Sequence, residues 1–556
     1  MSAEAPVKLT HNEEIKAAIP TVAGTIAATI ADETVDHFSH DDYEFLKFHG
    51  SYQQDDRDLR KTGKKYIMMV RSRIPGGVMT ANQWRIFDGL AAQYGNNTLR
   101  VSTRQTIQFH GVLKNNLRAV IKGINESLLS TLAACGDVSR NVLAPPTPAY
   151  TQAREQVYAD CNKVALALAP QTKAYHAIWI DGVQLDLEQA ENKNFADPLY
   201  GKTYLPRKFK VAFAIPPVND LDVFTNDVGL IAIVENDRLT GYNLAVGGGM
   251  GRSHGNVQTF PRLADVIGFF TPDKVVDVAK AVLTIHRDFG DRTDRKHARL
   301  KYIVAERGVK FMQDEVNKRA GLTLAPAQPY KFTTTADLLG WHKATDGKWF
   351  LGMFVESGRV KDAQKIALRE VAEKFPGVEF RLSANQNVIL ANVSEGDKTG
   401  INAILAQHGV KVENQAGVLL AASMACPALP TCGLALAESE RMLPGLIDRL
   451  EKLCAEAGLA GEEIIIRSTG CPNGCARPYL AEIAFVGKAP GRYQVWLGAN
   501  ATGTRLNRVW KDVMKEVDIE TEFRPVLARF AKERSPNERF GDWCDRVFLK
   551  EQAATN

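Results

Sequence analysis

The sequence LRVSTRQTIQFHGV, residues 99–112, has a counterpart later in the chain, FRLSANQNVILANV, residues 380–393. Both copies carry arginine at the second position, serine at the fourth and glutamine at the seventh. Helix-like periodicity precedes and follows each copy, which predicts an α/β half-domain that occurs twice. The flanking helical patterns cover residues 81–94 and 117–130 around the first copy, and 360–375 and 398–408 around the second.

A second pair of segments repeats in the same order. Residues 230–252 (LIAIVENDRLTGYNLAVGGGMGR) resemble residues 482–505 (EIAFVGKAPGRYQVWLGANATGTR). The four segments therefore alternate along the chain as A–B–A′–B′, and this period is too long for a solenoid. The sequence predicts a multidomain α+β or α/β fold that arose by duplication of one large unit and carries pseudo-two-fold symmetry.

Length and composition exclude several classes of protein. The chain has 556 residues and a formal net charge of +5, which allows several domains but not the concentrated basic face of a nucleic-acid binder. No run approaches the roughly 20 apolar residues of a membrane helix. The apolar stretch at residues 17–31 lacks the positively charged flank of a signal peptide. We therefore expect a cytoplasmic protein that binds neither nucleic acid nor membranes.

Residues 98–110 alternate between polar and apolar side chains, which predicts a single β-strand with one polar face. That face carries Arg100, Arg104, Gln108 and His110, and no acidic residue. A solvated edge strand usually mixes charge signs, so the pattern favours a face turned toward a large anion. Arginine suits carboxylates because its planar fork donates two parallel hydrogen bonds.

The second copy of this segment has decayed on its polar face. Asn385 stands where the first copy has Arg104, and Ala391 stands where it has His110. Only the first copy therefore retains an anion-facing pattern, and we expect one active site per chain.

Further cations lie without an acidic neighbour in the sequence. Lys208 and Lys210 share one face of a predicted strand over residues 208–215, where like charges are tolerable only if they are solvated or if an anion lies between them. The segment alone leaves both interpretations open. Arg71 and Arg140 lie beside turn-like sequence and add to the unpaired positive charge.

Two more segments are notable for glycine or basic residues. The loop GGGMG, residues 247–251, lacks the helix and acidic partner of a dinucleotide site, and predicts close approach of the backbone to a flat or bulky group. The basic run at residues 287–301 contains three acids, which favours a mainly solvated helix face.

Four of the eight cysteines form two pairs in the sequence. Cys426 and Cys432 are spaced C-x5-C, Cys471 and Cys475 are spaced C-x3-C, and 38 residues separate the pairs. Structural zinc modules use closer pairs, so a 4Fe–4S cluster fits better, although zinc stays open. The remaining four are expected to be small buried hydrophobes: Cys135, Cys161, Cys454 and Cys544.

Several motifs together resemble the siroheme-containing sulfite and nitrite reductase family. Besides the cysteine pairs and residues 99–112, they are HGSYQQDDRD (49–58), PRKFK (206–210), GGGMGRSHG (247–255) and VGKAPGRY (486–493). The likeness extends roughly over residues 49–548. Members of this family have a two-fold repeat, in agreement with the A–B–A′–B′ order.

The resemblance implies a role for each matching residue. The ligands of a 4Fe–4S cluster would be Cys426, Cys432, Cys471 and Cys475, the last also bridging to the siroheme iron. The substrate-binding cations would be Arg71, Arg140, Lys208 and Lys210. The residues that hold siroheme carboxylates or lie close to the siroheme would be Arg100, Arg104, Gln108, His110, Arg207 and Asn473.

The resemblance also implies a reaction, the six-electron reduction of sulfite to sulfide in sulfate assimilation and cysteine biosynthesis. A siroheme nitrite reductase that makes ammonia is the alternative within the family, and a non-catalytic zinc-binding protein is the alternative outside it. The chain shows no flavin or nicotinamide site of its own. An electron donor is therefore implied, either an NADPH-dependent flavoprotein subunit or ferredoxin.

The domain organisation predicted from these patterns has five parts, with siroheme at the interface of the repeats. They are an acidic, irregular N-terminal arm (1–65), a ferredoxin-like half-domain (66–140), a siroheme domain (141–337), a second ferredoxin-like half-domain (338–412), and a siroheme and 4Fe–4S domain (413–556).

Overall fold

The computed structural model describes residues 8–148, 151–171, 178–180, 183–185, 195–412 and 416–555. Two five-stranded sheets contain the half-domain segments. Sheet 1 has the spatial order Ser51–Asp55, Tyr66–Arg71, Ile107–Val112, Leu99–Val101 and Arg359–Val360. Sheet 3 has the order Gly340–Lys343, Trp349–Met353, Val388–Val393, Glu379–Leu382 and Val78–Thr80.

Each half-domain completes the sheet of the other. The strand Val78–Thr80 pairs with Glu379–Leu382 in sheet 3, while Arg359–Val360 pairs with Leu99–Val101 in sheet 1. This reciprocal exchange joins both half-domains in one hydrophobic core. The mixed α and β fold and its internal duplication are therefore confirmed.

Two equivalent glycines lead into the exchanged strands. Gly77 has φ 74° and Gly358 has φ 73°, a conformation that favours glycine. A Cβ atom at Gly77 would lie 2.8 Å from the carbonyl oxygen of Leu382, and one at Gly358 would lie 2.5 Å from that of Val101. Both crossings therefore require close backbone contact between the two repeats.

The longer repeat forms two further sheets that mix parallel and antiparallel pairs. Sheet 2 has the order Asp265–Phe270, Arg238–Val246, Val228–Glu235 and Val211–Ala214. Sheet 4 has the order Ser423–Ala425, Ile466–Thr469, Ile483–Ala489, Arg492–Leu497 and Arg508–Lys515. The strands Ile178–Ile180 and Val183–Leu185 form a separate antiparallel pair.

The helices pack on these sheets and bury separate cores against sheet 2 and sheet 4. Their bounds are His11–Ala18, Ile26–Ala31, His40–Phe48, Ala81–Tyr94, Leu117–Glu126, Gln152–Ala167, Val275–Phe289, Leu300–Ala320, Asp362–Lys374, Glu395–Gln407, Val418–Ala421, Leu443–Glu456, Ile519–Glu533, Phe540–Trp543 and Leu549–Thr555. Within the described ranges, no helix is both long and apolar enough to cross a lipid bilayer.

The prediction of one continuous strand over residues 98–110 is wrong. The segment forms a hairpin of two strands in sheet 1, and the chain reverses near Gln105, which has φ 52°. Arg100 lies directly opposite Gln108 in this hairpin. Directly opposed residues of antiparallel strands share a face, so these polar side chains still lie together.

The N-terminal arm is not irregular as predicted. It contains three helices between residues 11 and 48, and the strand Ser51–Asp55 pairs with Tyr66–Arg71 at the edge of sheet 1. The acidic composition hid this order because Asp42 and Asp55 are buried and bonded to neighbouring groups rather than solvated.

Candidate active site

The four paired cysteines converge beside one end of sheet 4. Two adjacent parallel strands end just before Cys426 and Cys471, so the sheet brings these residues together. Burial, followed by the neighbouring Cys475, raises the pKa of Cys426, Cys432 and Cys471. Two motifs that are 38 residues apart in the sequence therefore form one sulfur cluster.

The spacing of these sulfurs separates two kinds of metal site. All four cysteines lie in the described part of the chain, and no three of their Sγ atoms lie within 4.8 Å of one another. A single tetrahedral zinc ion, with Zn–S bonds of about 2.3 Å, would hold its sulfurs about 3.8 Å apart. This spacing is too wide for a preformed tetrahedral zinc site.

Amide groups point at three of the four sulfurs. The donors are the Gly470 amide toward Cys426 (3.3 Å), the Leu434 and Ala435 amides toward Cys432, and the Asn473 amide and Nδ2 (3.5 Å) toward Cys471. Burial still raises the pKa of Cys471 to about 12. Thiolates here need a bound cation, and the amide donors suit an iron–sulfur cluster because such bonds tune its potential.

A cluster of cations lies next to Cys475. Burial, followed by the neighbouring Arg207, lowers the pKa of Lys208 to about 7. Burial and then Lys208 lower the pKa of Lys210 well below its normal value. Within the described residues, no hydrogen-bond acceptor or carboxylate pairs with either ammonium group. The Cys475 sulfur opposes the shift at Lys208, which places the sulfur and the lysine in one environment.

Lys208 and Lys210 do not lie within a strand as predicted. The strand begins at Val211, and Phe209 between the two lysines forms an isolated bridge with Ser139. The backbone amide of Lys210 donates to Asp227 Oδ2 at 2.9 Å. The two lysines therefore lie at alternate positions of an extended segment just before the strand. The acidic residue that contacts the backbone of this segment is Asp227.

Three predicted residues form one hydrogen-bonded chain along sheet 1. Arg71 Nη1 donates to the buried Cys135 Sγ at 3.1 Å. With its amide oriented to satisfy both neighbours, Gln108 accepts from Arg71 and donates to His110 Nε2 at 3.2 Å. His110 Nδ1 is buried without a partner, and burial lowers the pKa of this ring far below its normal value.

Arg104 lies at the hairpin turn and is only partly satisfied. It donates to Asn226 Oδ1 (2.5 Å) and to the carbonyl of Val211 (3.1 Å), while its Nε is buried without a partner. Burial lowers the pKa of Arg104 to about 9, and nearby cations add to the effect.

Arg100 has a different environment from the one predicted. Its guanidinium donates to the carbonyls of Ser357 and Ala425, each at 2.9 Å, and pairs with Glu440 at 3.1 Å. The side chain is almost fully buried and joins the hairpin to the residue before Cys426. A contact between Arg100 and a cofactor carboxylate stays a prediction.

Arg140 and Arg207 belong to the same cluster of cations and come from two neighbouring segments. Arg140 Nε donates to the carbonyl of Gly136 at 2.9 Å, and Arg207 lies 3.9 Å from Asp137. Burial lowers the pKa of Arg207 to about 10, with Arg295 as the next cause. Arg140 and Arg207 are electrostatic neighbours of Lys208, and Arg71 shares the neighbour Cys475 with it, so these side chains form one cluster with a surplus of positive charge.

Family models and relatives match the sequence of this chain. A model described as nitrite/sulfite reductase ferredoxin-like half domain matches residues 60–127 and again 342–408. A model described as nitrite and sulphite reductase 4Fe-4S domain matches residues 160–324. A sulfite reductase (NADPH) hemoprotein beta-component from Staphylococcus saprophyticus is 47% identical, over 98% of this chain and 97% of the relative. The chain belongs to the nitrite and sulphite reductase family.

Other comparisons extend this result. The hemoprotein beta-component of the same name from Myxococcus xanthus is 46% identical, over 98% of this chain and 97% of the relative. The structure of Mycobacterium tuberculosis NirA covers 97% of this chain and 96% of its own, with a TM-score of 0.79 at 23% identity. This likeness shows the fold. The family's 4Fe–4S domain model matches the first copy of the longer repeat, whereas the paired cysteines belong to the second.

At the second copy of the family site, Asn385 and Ala391 replace Arg104 and His110, as the sequence indicates. Asn385, in place of Arg104, donates to Asp337 Oδ1 at 3.0 Å and accepts from Arg477 at 3.1 Å. A cavity of about 430 Å³ lies there, and its charged lining residues are Asp337, Glu463 and Arg467. The surplus of cations found at the first site is therefore not repeated there, which favours one anion site per chain.

Residues 287–301 were predicted to form a mainly solvated helix face, and this prediction is wrong. The segment connects the helices Val275–Phe289 and Leu300–Ala320, and the side chains of Arg299 and Lys301 are buried. The three acids in this run suggested a mixed solvated surface, but none of them lies C-terminal to residue 294. The unbalanced sequence HARLK was the signal that could have identified these two residues.

The glycine-rich loop is close-packed against the protein itself. A Cβ atom at Gly248 would lie 2.0 Å from the carbonyl oxygen of Phe224, and one at Gly249 would lie 3.2 Å from Arg299 Nη2. At these two positions the backbone approaches the protein itself, and the expected approach of the loop to a flat or bulky group stays a prediction. The loop continues to Arg252, whose amide donates to the carbonyl of Pro472 between the paired cysteines.

The surplus of positive charge around Lys208 and Lys210 leads to a prediction for the cofactor-free protein. Sulfate should raise its melting temperature by about 5 °C relative to chloride at equal ionic strength, because a bound dianion relieves the repulsion among the cations. Differential scanning fluorimetry would measure the shift. Lys210→Asn should reduce it, whereas the exposed Lys202→Asn should leave it unchanged; equal melting temperatures in sulfate and chloride would contradict an anion site.

Proposed function

We propose that the chain is the haemoprotein component of a sulfite reductase, which reduces sulfite to sulfide with six electrons. The observation that carries this proposal is the position of the four-cysteine cluster beside a cluster of cations, in which the ammonium groups of Lys208 and Lys210 have no hydrogen-bond acceptor among the described residues. The names of the relatives in Staphylococcus saprophyticus and Myxococcus xanthus support it.

The residues present fit the two cofactors of this family. The four cysteines would hold a 4Fe–4S cluster, with Cys475 shared with the siroheme iron. The cluster of cations would bind the carboxylates of siroheme. Arg104 Nε and His110 Nδ1 are buried without a hydrogen-bond partner, and they fit polar groups of such a ligand. Those proposed to bind or adjoin siroheme are Arg100, Arg104, Gln108, His110, Arg207 and Asn473. When bound, the cluster and the haem iron would supply electrons one at a time.

The chain's own residues would bind sulfite and manage its protons. Reduction of sulfite to hydrogen sulfide consumes six electrons and eight protons and releases three water molecules. Arg71, Arg140, Lys208 and Lys210 would orient the sulfite oxygens and offset their charge. The pKa of about 7 makes Lys208 suited to donate a proton from Nζ to a departing oxygen near neutral pH.

The electrons would come from an NADPH-dependent flavoprotein subunit. The names of the relatives include NADPH, and the sequence of this chain shows no flavin or nicotinamide motif of its own. Ferredoxin is the alternative donor. Reconstitution of sulfite reduction with each purified donor would decide between them. We further propose that the enzyme works in the cytoplasm, as the sequence predicts.

The cofactor content provides a direct test of the proposed function. Purified protein should contain about five iron atoms per chain, four in the cluster and one in siroheme, together with acid-labile sulfide and a visible haem band. Metal analysis and absorption spectroscopy would measure these. Stoichiometric zinc without a visible band would instead support the non-catalytic zinc-binding alternative.

A further inference from the structure

We propose that Arg299 and Lys301 are positioning residues that fix Lys210 and the cysteine loop, residues 471–475, relative to each other. They flank the first residue of the helix Leu300–Ala320. The inference rests on the proposed function, because it takes Lys210 and the cysteines to act on one substrate.

Arg299 controls Lys210 through Asp227. Asp227 is fully buried, and its Oδ2 accepts from Arg299 Nη2 at 2.8 Å and from the Lys210 backbone amide at 2.9 Å. Its Oδ1 accepts from the same Nη2 at 3.0 Å. Removing Arg299 would leave a buried carboxylate without its cation, which is strongly unfavourable. The position of the Lys210 backbone therefore depends on Arg299.

Lys301 holds the glycine-rich loop instead. Its ammonium donates to the carbonyls of Gly251 (2.7 Å), Gly249 (3.3 Å) and Phe260. A lysine Nζ has at most three N–H donors, so these three acceptors can use all of them and leave none for a ligand. The side chain is fully buried, and Lys301 is accordingly an anchor of the loop rather than a substrate cation.

The anchored loop packs directly on the cysteine loop. The Arg252 amide donates to the carbonyl of Pro472 at 3.1 Å. Gly474 has φ 66°, and a Cβ atom there would lie 3.2 Å from the carbonyl oxygen of Met250. Both contacts lie between the third and fourth cysteines of the cluster. A displacement of the glycine-rich loop would therefore move the cysteine loop.

One short rigid segment thus sets the distance between a substrate lysine and a metal-binding loop. Arg299 and Lys301 are separated by a single residue, so a shift of the helix start would affect both attachments together. A misplacement of about 1 Å in a catalytic site can reduce the rate by about 100-fold. The two side chains should nevertheless affect different kinetic constants, because one contacts the substrate side and the other the cysteine side.

The test compares Arg299→Gln and Lys301→Met in the cofactor-loaded enzyme. Arg299→Gln should raise the KM for sulfite about 10-fold and change kcat by less than about 3-fold, because it displaces a binding residue. Lys301→Met should lower kcat about 10-fold, with KM changed by less than about 3-fold. It should also alter the electron paramagnetic resonance spectrum of the reduced cluster, which Arg299→Gln should leave unchanged.

Controls separate positioning from general stability. Lys296→Met removes an exposed lysine of the same segment and should behave like the wild type. Arg299→Lys and Lys301→Gln keep some donors and should show intermediate effects, and they replace the first pair if either of those fails to fold. Wild-type kinetic constants and spectra in both variants, with only a lower melting temperature, would overturn the inference. Wild-type enzyme without sulfite activity would overturn the proposed function, while the spectrum of the Lys301 variant would still test the anchor.

Discussion

Replacing Cys475 with serine should lower sulfite turnover by about three orders of magnitude or more, since a bridging thiolate would be lost. Cys475 is the exposed member of the four and influences the pKa of both Arg71 and Lys208. Cys475 therefore lies near the cluster of cations as well as near the other sulfurs. Its exposed position makes the sulfur accessible to a second metal.

Two comparisons make this test specific. Cys454→Ala changes a buried cysteine in the core of the cluster-bearing domain and should retain nearly full activity. Cys426→Ser should lower the content of intact cluster, whereas Cys475→Ser should chiefly abolish the coupling between cluster and haem. Activity and iron content would be measured together with the electron paramagnetic resonance spectrum. Full six-electron activity in Cys475→Ser would place the bridge elsewhere.

The duplication and the cysteine cluster are predictable from the sequence because each leaves a local pattern. Gln105 and Gln386 occupy equivalent places in the two repeats, and both have positive φ where the hairpins turn. The cysteine spacing likewise indicates a shared metal centre. However, polar and apolar residues alternate with a period of two both in one continuous strand and in a hairpin whose turn keeps the alternation. The sequence pattern therefore could not reveal the chain reversal at Gln105.

The positioning contacts have no comparable sequence signal. Asp227 and Arg299 are 72 residues apart and meet because sheet 2 and the helix start pack together. Arg100 looked like a ligand of an external anion, yet Glu440, 340 residues later, supplies a carboxylate from within the chain. Charge pattern predicts that cations need a partner, but only the folded structure shows whether the partner is internal.

Substrate choice should depend on the charge at Lys210. Sulfite is partly a dianion near neutral pH, while nitrite is a monoanion with one oxygen fewer. Burial and then Lys208 lower the pKa of Lys210, so a second negative charge on the ligand would favour the protonated form of this lysine. A close ion contact in such a site is worth a few kcal/mol, about 4 at a separation of 4 Å and an effective dielectric constant near 20.

Lys210→Asn should therefore lower kcat/KM for sulfite by about 10- to 100-fold and spare or improve nitrite turnover. Steady-state kinetics with both substrates would measure the change, and the exposed Lys202→Asn is the control, which should match the wild type. Equal losses for sulfite and nitrite would identify Lys210 as a general proton donor or a siroheme contact instead of a charge selector. A wild-type preference for nitrite by kcat/KM would favour the nitrite reductase alternative, because the second ammonium would then not serve a dianion.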